Sequence, residues 1–218
     1  MNREAGLNEA VLHKVRSALG RVVGQPAPPP PPPLMAVVEM DRETRIQSFC
    51  ERFRMLGGNP VRVPDAAEAS QWLASFLQNR TAVASNSQFL EDMGILRFPS
   101  VNGKYRDSAA LRGACAVADI GITSADFALA QTGTLVMIAS PQEARLISLL
   151  PPVHVAIFPA SRLLTGLDEL LTIVPNPASV TSSMVLITGP SRTGDIEQIL
   201  VRGVHGPGQI YSVIVEGC

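Results

Sequence analysis

The stretch richest in reactive side chains is Thr188-Gly189-Pro190-Ser191-Arg192-Thr193-Gly194-Asp195-Ile196-Glu197. It follows an apolar run at 183–188 and leads into residues 192–202, which read as a helix. Backbone N–H groups at such a strand-to-helix turn have no partners within the helix, so they attract a phosphate or a carboxylate. The ligand-binding candidates here are Gly189, Ser191, Arg192, Thr193 and Asp195. The same residues also serve as plain caps, with Ser191 or Thr193 starting the helix and Asp195 or Glu197 facing its positive end. Neither the Gly-Lys-Ser/Thr of a phosphate loop nor the G-x-G-x-x-G spacing is present.

A second polar segment runs from Gly121 to Thr134 and reads as strand, single helical turn, strand. Thr123 and Asp126 can bind hydroxyls, and Thr123 or Ser124 can equally cap the turn. Gln131, Thr132, Gly133 and Thr134 close it in a bend of small residues, where a ligand can reach main-chain groups. His154 follows two prolines at a strand start and reads as a hydrogen-bonded structural histidine. His205 lies among the glycines of 203–208 and is the better candidate for acid–base or ligand work. Arg145 is a candidate carboxylate or phosphate partner, or a solvated surface residue. No Ser-His-Asp order and no G-x-S-x-G motif is defensible, so the residues alone name no catalytic set.

These turns need a scaffold. Leu7, Val11, Val15 and Leu19 recur every fourth residue and predict an apolar helix stripe over 7–19. Pro26 and the proline run 28–33 predict a polyproline spacer spanning roughly 25 Å at about 3.1 Å per residue. Helices are expected at 41–56, from Asp65 to about 78, at 87–93, 161–172 and 192–202. Short strands are expected at 61–63, 81–84, 117–122, 134–139, 153–158, 183–188 and 210–215. Their continuous rather than alternating hydrophobicity marks strands covered on both faces. The pattern is α/β: a three-layer α/β/α domain with a mostly parallel sheet, in which antiparallel members have room. The division expected is a helical appendage at 1–24, a Pro-rich linker at 25–36 and the α/β domain at 37–218.

Composition sets the outer bounds. Of 218 residues, 46% are apolar and 17% charged, which supplies a core and argues against disorder. Aromatics are only 5% and the net charge is −1, so no base-stacking or polyanion-binding surface is indicated and no nucleic-acid partner is expected. No apolar run reaches the roughly 18 residues of a membrane span. The polar opening MNREAGLNEA shows no signal peptide, which makes the cytoplasm the expected compartment. Cys50, Cys115 and Cys218 are far apart and read as free thiols, short of the four an iron–sulfur cluster normally needs. The histidines form no metal pair, and no metal or other cofactor bound by this chain is expected.

Three stretches, GITSADFALAQTGTLVM, ARLISLLPPVHVAIFP and ITGPSRTGDIEQILVRGVHGPGQIYSVIV, cover most of 117–216. In that order they resemble the lactate-utilization protein C family, also called the LUD-domain family. Residues 41–116 fit it more loosely and 1–40 do not. The resemblance implies the fold of ribose-phosphate isomerases, glucosamine-phosphate deaminases and coenzyme A transferases. It also implies a non-redox subunit of a multi-protein system oxidising L-lactate to pyruvate, with iron–sulfur clusters on partner subunits. The family usually reads Glu-Thr-Gly-Thr where this chain has Gln131-Thr132-Gly133-Thr134. A carboxylate takes a proton or attacks an acyl group and an amide does not, so the change touches catalysis while binding survives it. The alternative is a stand-alone enzyme or binding protein for a phosphorylated sugar, acyl-coenzyme A or folate-like metabolite, resting on the 189–195 turn. Both readings expect the turns around Thr132 and Pro190 to share a cleft.

Overall fold

Short-range chemistry starts most of the elements. Asp41 accepts the N–H of Thr44 and opens one helix; Asp65 accepts from Ala67 and Glu68 and opens the next; Asp107 accepts from Ala109 and Ala110 and opens a third. A computed structural model describes residues 3–22, 24–26, 29, 39–194 and 200–218. The chain divides into two units, Met1–Leu34 and Met35–Cys218. The first holds helix α1 (Arg3–Ala18), whose Val11, Leu12 and Val15 are exposed. The expected polyproline spacer lies largely outside the described residues.

The second unit runs, in chain order, through α2 (Arg42–Met55), β1 (Asn59–Val63), α3 (Ala66–Phe76), β2 (Ala82–Ala84), α4 (Gln88–Asp92), β3 (Val101–Asn102), α5 (Ser108–Val117) and β4 (Ile120–Thr123). It continues with β5 (Phe127–Leu129), β6 (Thr134–Ile138), α6 (Arg145–Leu149), β7 (Val153–Pro159), a 3₁₀ turn at Ala160–Arg162, β8 (Leu163–Leu164) and α7 (Leu167–Ile173). The last elements are α8 (Pro177–Val180), β9 (Met184–Ile187), β10 (Arg192–Gly194), β11 (Leu200–Arg202) and β12 (Gln209–Val215).

The main sheet has the order β1-β12-β7-β4-β2-β3, and all its pairings are parallel. One face carries Val155, Ile157 and Val213 against Leu73 of α3 and Leu90 of α4. The other carries Ala156, Phe158 and Ile214 against Phe49 and Phe53 of α2. Phe49 stacks on Phe53 at 5.2 Å between centroids and meets the edge of Phe158 at 5.9 Å. Helices on both faces explain why these strands read as unbroken apolar runs. Gly121 of β4 lets α6 lie against the sheet, because a Cβ there would fall 1.9 Å from the Ile147 carbonyl oxygen.

A second sheet, β8-β5-β6-β9, mixes parallel and antiparallel pairs. Leu135 and Met137 join the α2 cluster, while Leu129, Val136 and Leu164 pack on Leu170 of α7. The 183–188 strand belongs to this sheet, antiparallel to β6.

Three sequence expectations change. Residues 192–194 and 200–202 pair as an antiparallel ladder, where a helix was expected over 192–202. Gly194 inside that stretch and the β-branched Thr193 and Val201 oppose a helix. The single helical turn expected between 121 and 134 is β5, hairpin-paired with β6. The helix expected at 161–172 begins only at Leu167, after a 3₁₀ turn and β8.

Candidate functional site

Strands β2, β4 and β7 lie side by side in a parallel sheet, so the residues after each leave by the same edge. Those residues are Ser85 after β2, Ser124 after β4 and Arg162 after β7. In open α/β sheets this carboxyl edge forms the ligand crevice. Glu143 reaches the same place from the loop between β6 and α6, where Ser140 Oγ accepts its backbone N–H at 3.0 Å. Its Oε1 accepts from Ser85 Oγ at 2.8 Å and from the Ser124 N–H at 3.0 Å. Its Oε2 is buried and has no partner among the described residues. Arg162 donates through Nη1 to Ser124 Oγ and to the Ala125 carbonyl, both at 2.9 Å. The guanidinium rests 5.4 Å from the Phe89 ring centroid. Asp126 is part-buried and accepts the Ile138 N–H at 2.6 Å.

Charge in this cluster is strongly perturbed. Burial pushes the Glu143 carboxyl up to about 7, against the bonds from Ser85 and Ser124; Asp126 adds to the rise and Arg162 opposes it. Burial also raises Asp126, with the Ile138 N–H and Arg162 pulling it down. One layer below, Thr123 Oγ1 lies 2.8 Å from His154 Nε2. Burial lowers that imidazole to about 4, so it is neutral near pH 7. The chemistry available at the edge is a fixed cation beside a carboxyl that exchanges its proton near neutrality.

A separate constellation lies against the last turns of α2. Thr132 Oγ1 and Thr134 Oγ1 are 2.7 Å apart, and Thr134 Oγ1 is 3.1 Å from Thr188 Oγ1. Gly133, at φ +61°, sits where a Cβ would come within 2.5 Å of the Phe53 nitrogen. Gly189 closes on the Leu56 carbonyl, to which the Arg192 guanidinium also donates. The turns around Thr132 and Pro190 therefore approach each other on the last turns of α2. Because α2 leads directly into β1, this is the amino edge of the main sheet.

The sequence-derived candidates thus divide. Thr123 and Asp126 belong to the carboxyl edge. Thr132, Gly133, Thr134, Gly189 and Arg192 group at the amino edge. Gln131 is exposed, its N–H on the Thr165 carbonyl and its Oε1 close over Gly166. Ser191 receives Gly203 and donates to Pro207, which ties it to the loop carrying the exposed His205. Thr193 lies in β10, opposite Val201, and Asp195 lies outside the described residues. Arg145 is exposed and donates to Ser183 Oγ at 3.2 Å.

Sequence reasoning passed over Ser85, Glu143 and Arg162. A signal was there: between Asp126 and Asp168 the chain has one acid, Glu143, and two cations, Arg145 and Arg162. Charges that rare inside apolar sequence are candidates for fixed positions. Among the described residues no three His, Cys, Asp or Glu side chains group as a metal site. Nor is any helix there long and apolar enough to cross a membrane.

The family model of the LUD domain matches residues 46–215. Lactate utilization protein C of Anoxybacillus flavithermus is 33% identical over 160 residues, covering 73% of this chain and 64% of that protein. The protein of the same name from Exiguobacterium is 42% identical over 102 residues, 45% of this chain and 44% of its own length. The chain thus aligns with less than two thirds of the length of these relatives. A crystal structure of a DUF162 family protein from Deinococcus radiodurans superposes with a TM-score of 0.60 at 17% identity, covering 81% of this chain and 99% of that one, and shares the fold.

Proposed function

The chain belongs to the LUD-domain family, and on that premise we propose that it is a non-redox subunit of a multi-protein system oxidising L-lactate to pyruvate. Lactate oxidation releases two electrons and two protons, and the electrons pass to iron–sulfur clusters on partner subunits. This chain contributes a binding site for a small anion at the Arg162–Glu143 cluster, together with contacts to those partners. The observation that carries the reading is the kinship with proteins named lactate utilization protein C. Its chemistry is consistent: Cys50 and Cys115 are buried apart and Cys218 is exposed, which falls short of a four-thiolate cluster set. At position 131 the amide takes no proton, which favours binding over covalent catalysis at that turn.

The alternative, a stand-alone enzyme for phosphorylated or coenzyme A-linked metabolites, loses its main support. It relied on a helix N-terminus after Ser191, and the chain forms strand β10 there. Deleting the gene tests the proposal. Growth on L-lactate as sole carbon source should fail and return on complementation, and cluster-bearing proteins should co-purify with the tagged chain at native expression. Undiminished growth in a strain without a paralogue overturns it.

A further inference from the structure

An open strand edge is a template for another strand, and proteins shield such edges with short strands, charge or proline. Most edges of this chain are shielded. β1 carries Pro60, which has no N–H, and Arg62; β3 and β8 have two residues each; the β10–β11 ladder has an arginine on each strand. β9 is the exception. It reads Met184-Val185-Leu186-Ile187, closes the second sheet beside β6, and holds no charge, proline or glycine. The Ala139 N–H donates to the Ser183 carbonyl at 2.9 Å, which sets the phase of the β6–β9 ladder. Antiparallel pairs alternate, so Val185 and Ile187 turn their main-chain groups to β6, while Met184 and Leu186 turn theirs outward. Those outward groups have no strand partner among the described residues. The Leu186 side chain is 43% exposed, and Val180, just before the strand, is 67% exposed.

We propose that β9 pairs antiparallel with β9 of a second copy of this chain, across a two-fold axis at Val185, so that the two four-stranded sheets join into one. The strand is complementary to itself. In this register Met184 lies opposite the partner's Leu186, and the two exchange N–H and carbonyl, so the outward groups of both strands are satisfied. Met184 packs on the α7 side of the sheet, and Leu186, two residues on, shares that face. The pairing therefore covers the exposed Leu186 with the partner's Met184. Charge selects the antiparallel sense. Arg145 donates to Ser183 Oγ at the start of β9. Parallel pairing would set two such guanidiniums side by side, whereas the two-fold keeps the two Ser183 residues four positions apart along the strand, about 14 Å. A strand of different sequence finds no charged side chain on β9 by which it could be selected. The pairing goes beyond the lactate role and does not depend on it.

Sedimentation equilibrium of the full chain tests this. The mass should rise with concentration from 23.2 kDa toward twice that value and level off there, because a two-fold contact closes on itself. Leu186→Pro removes an outward N–H and no bond to β6, and Leu186→Lys adds a charge to the bare edge. With melting temperatures recorded alongside, each should raise the dimer dissociation constant more than about tenfold. The register is read by cross-linking in a Cys218→Ser background, which removes the exposed native thiol. Val185→Cys should then form an interchain disulfide on mild oxidation, since residue 185 meets its own copy in a non-hydrogen-bonded pair with Cα atoms about 4.5 Å apart, within bridging reach. Leu186→Cys in the same background should cross-link far less, because its own copy lies two positions along the partner strand. A chain that stays monomeric, a dimer that both Leu186 variants leave intact, or cross-linking no better at 185 than at 186 overturns the assignment. The first of these outcomes hands the edge to a strand of a different protein.

Discussion

Glu143 and His154 are both buried, and they respond to pH in opposite senses. The Glu143 carboxyl is raised from its ordinary 4.5 to about 7, so the folded state holds a proton that the unfolded state has lost. Stability from this group therefore declines as pH rises from 4.5 to 7, by about 3 kcal/mol. His154 is lowered from 6.5 to about 4, so the unfolded state takes up a proton that the folded state refuses. Its contribution runs the other way, and about 3 kcal/mol is lost as pH falls from 6.5 to 4. Across the overlap the two slopes nearly cancel. In Glu143→Gln the histidine slope is unmasked, and urea midpoints should fall steeply between pH 6.5 and 4.5 while the parent stays level. Parallel profiles for the two proteins would refute this pairing. The carboxyl edge was hard to read in the sequence for a related reason. Glu143 sits in Ser-Pro-Gln-Glu-Ala-Arg, which has the look of a solvated loop. Only the turn geometry around Ser140 and the distant Ser85 and Ser124 bury it, and neither contact leaves a periodicity.

At the scale of elements, α2 acts as a splint between the two sheets. Arg45 donates to the Leu163 carbonyl, Ser48 to the Ala130 carbonyl, and Gly133 lies against Arg52 and Phe53. Gly133→Ala should cost more than about 1 kcal/mol from the left-handed backbone alone, with further loss as the turn lifts off α2. A lower urea midpoint with an unchanged main-sheet hydrogen-exchange core is the expected result; an unchanged midpoint would contradict the contact. The helix itself was legible from Asp41 onward because its cap and its apolar positions agree. The pairing of 192–194 with 200–202 was not, since Ile196, Ile199, Leu200 and Val201 satisfy a helical spacing as well as a strand, and against it stand only Gly194 and the weak helix preference of the β-branched Thr193 and Val201.

For the whole molecule, the parallel sheet was the most readable feature. Runs such as Val153–Pro159 and Gln209–Val215 are apolar on both faces because helices and the second sheet cover both. What the sequence could not show is which end of that sheet each turn reaches. Thr123 and Thr134 are eleven residues apart, yet β4 delivers the first to the carboxyl edge and hairpin β5–β6 returns the second toward the amino edge. Strand order decides this, and strand order depends on long-range pairing that leaves no local mark.

The carboxyl edge also depends on a buried residue within the sheet. Gly121 leaves room for the Ile147 carbonyl, and Ile147 belongs to the helix that starts two residues after Glu143. Gly121→Ala should force that helix outward, draw Glu143 away from Ser85 and Ser124, and return its titration toward ordinary glutamate values, as side-chain carboxyl chemical shifts would record. A carboxyl still titrating near 7 in that variant would break the link. The acidity of the crevice thus has its keystone inside the sheet, in a hydrogen atom standing where any other amino acid would bring carbon.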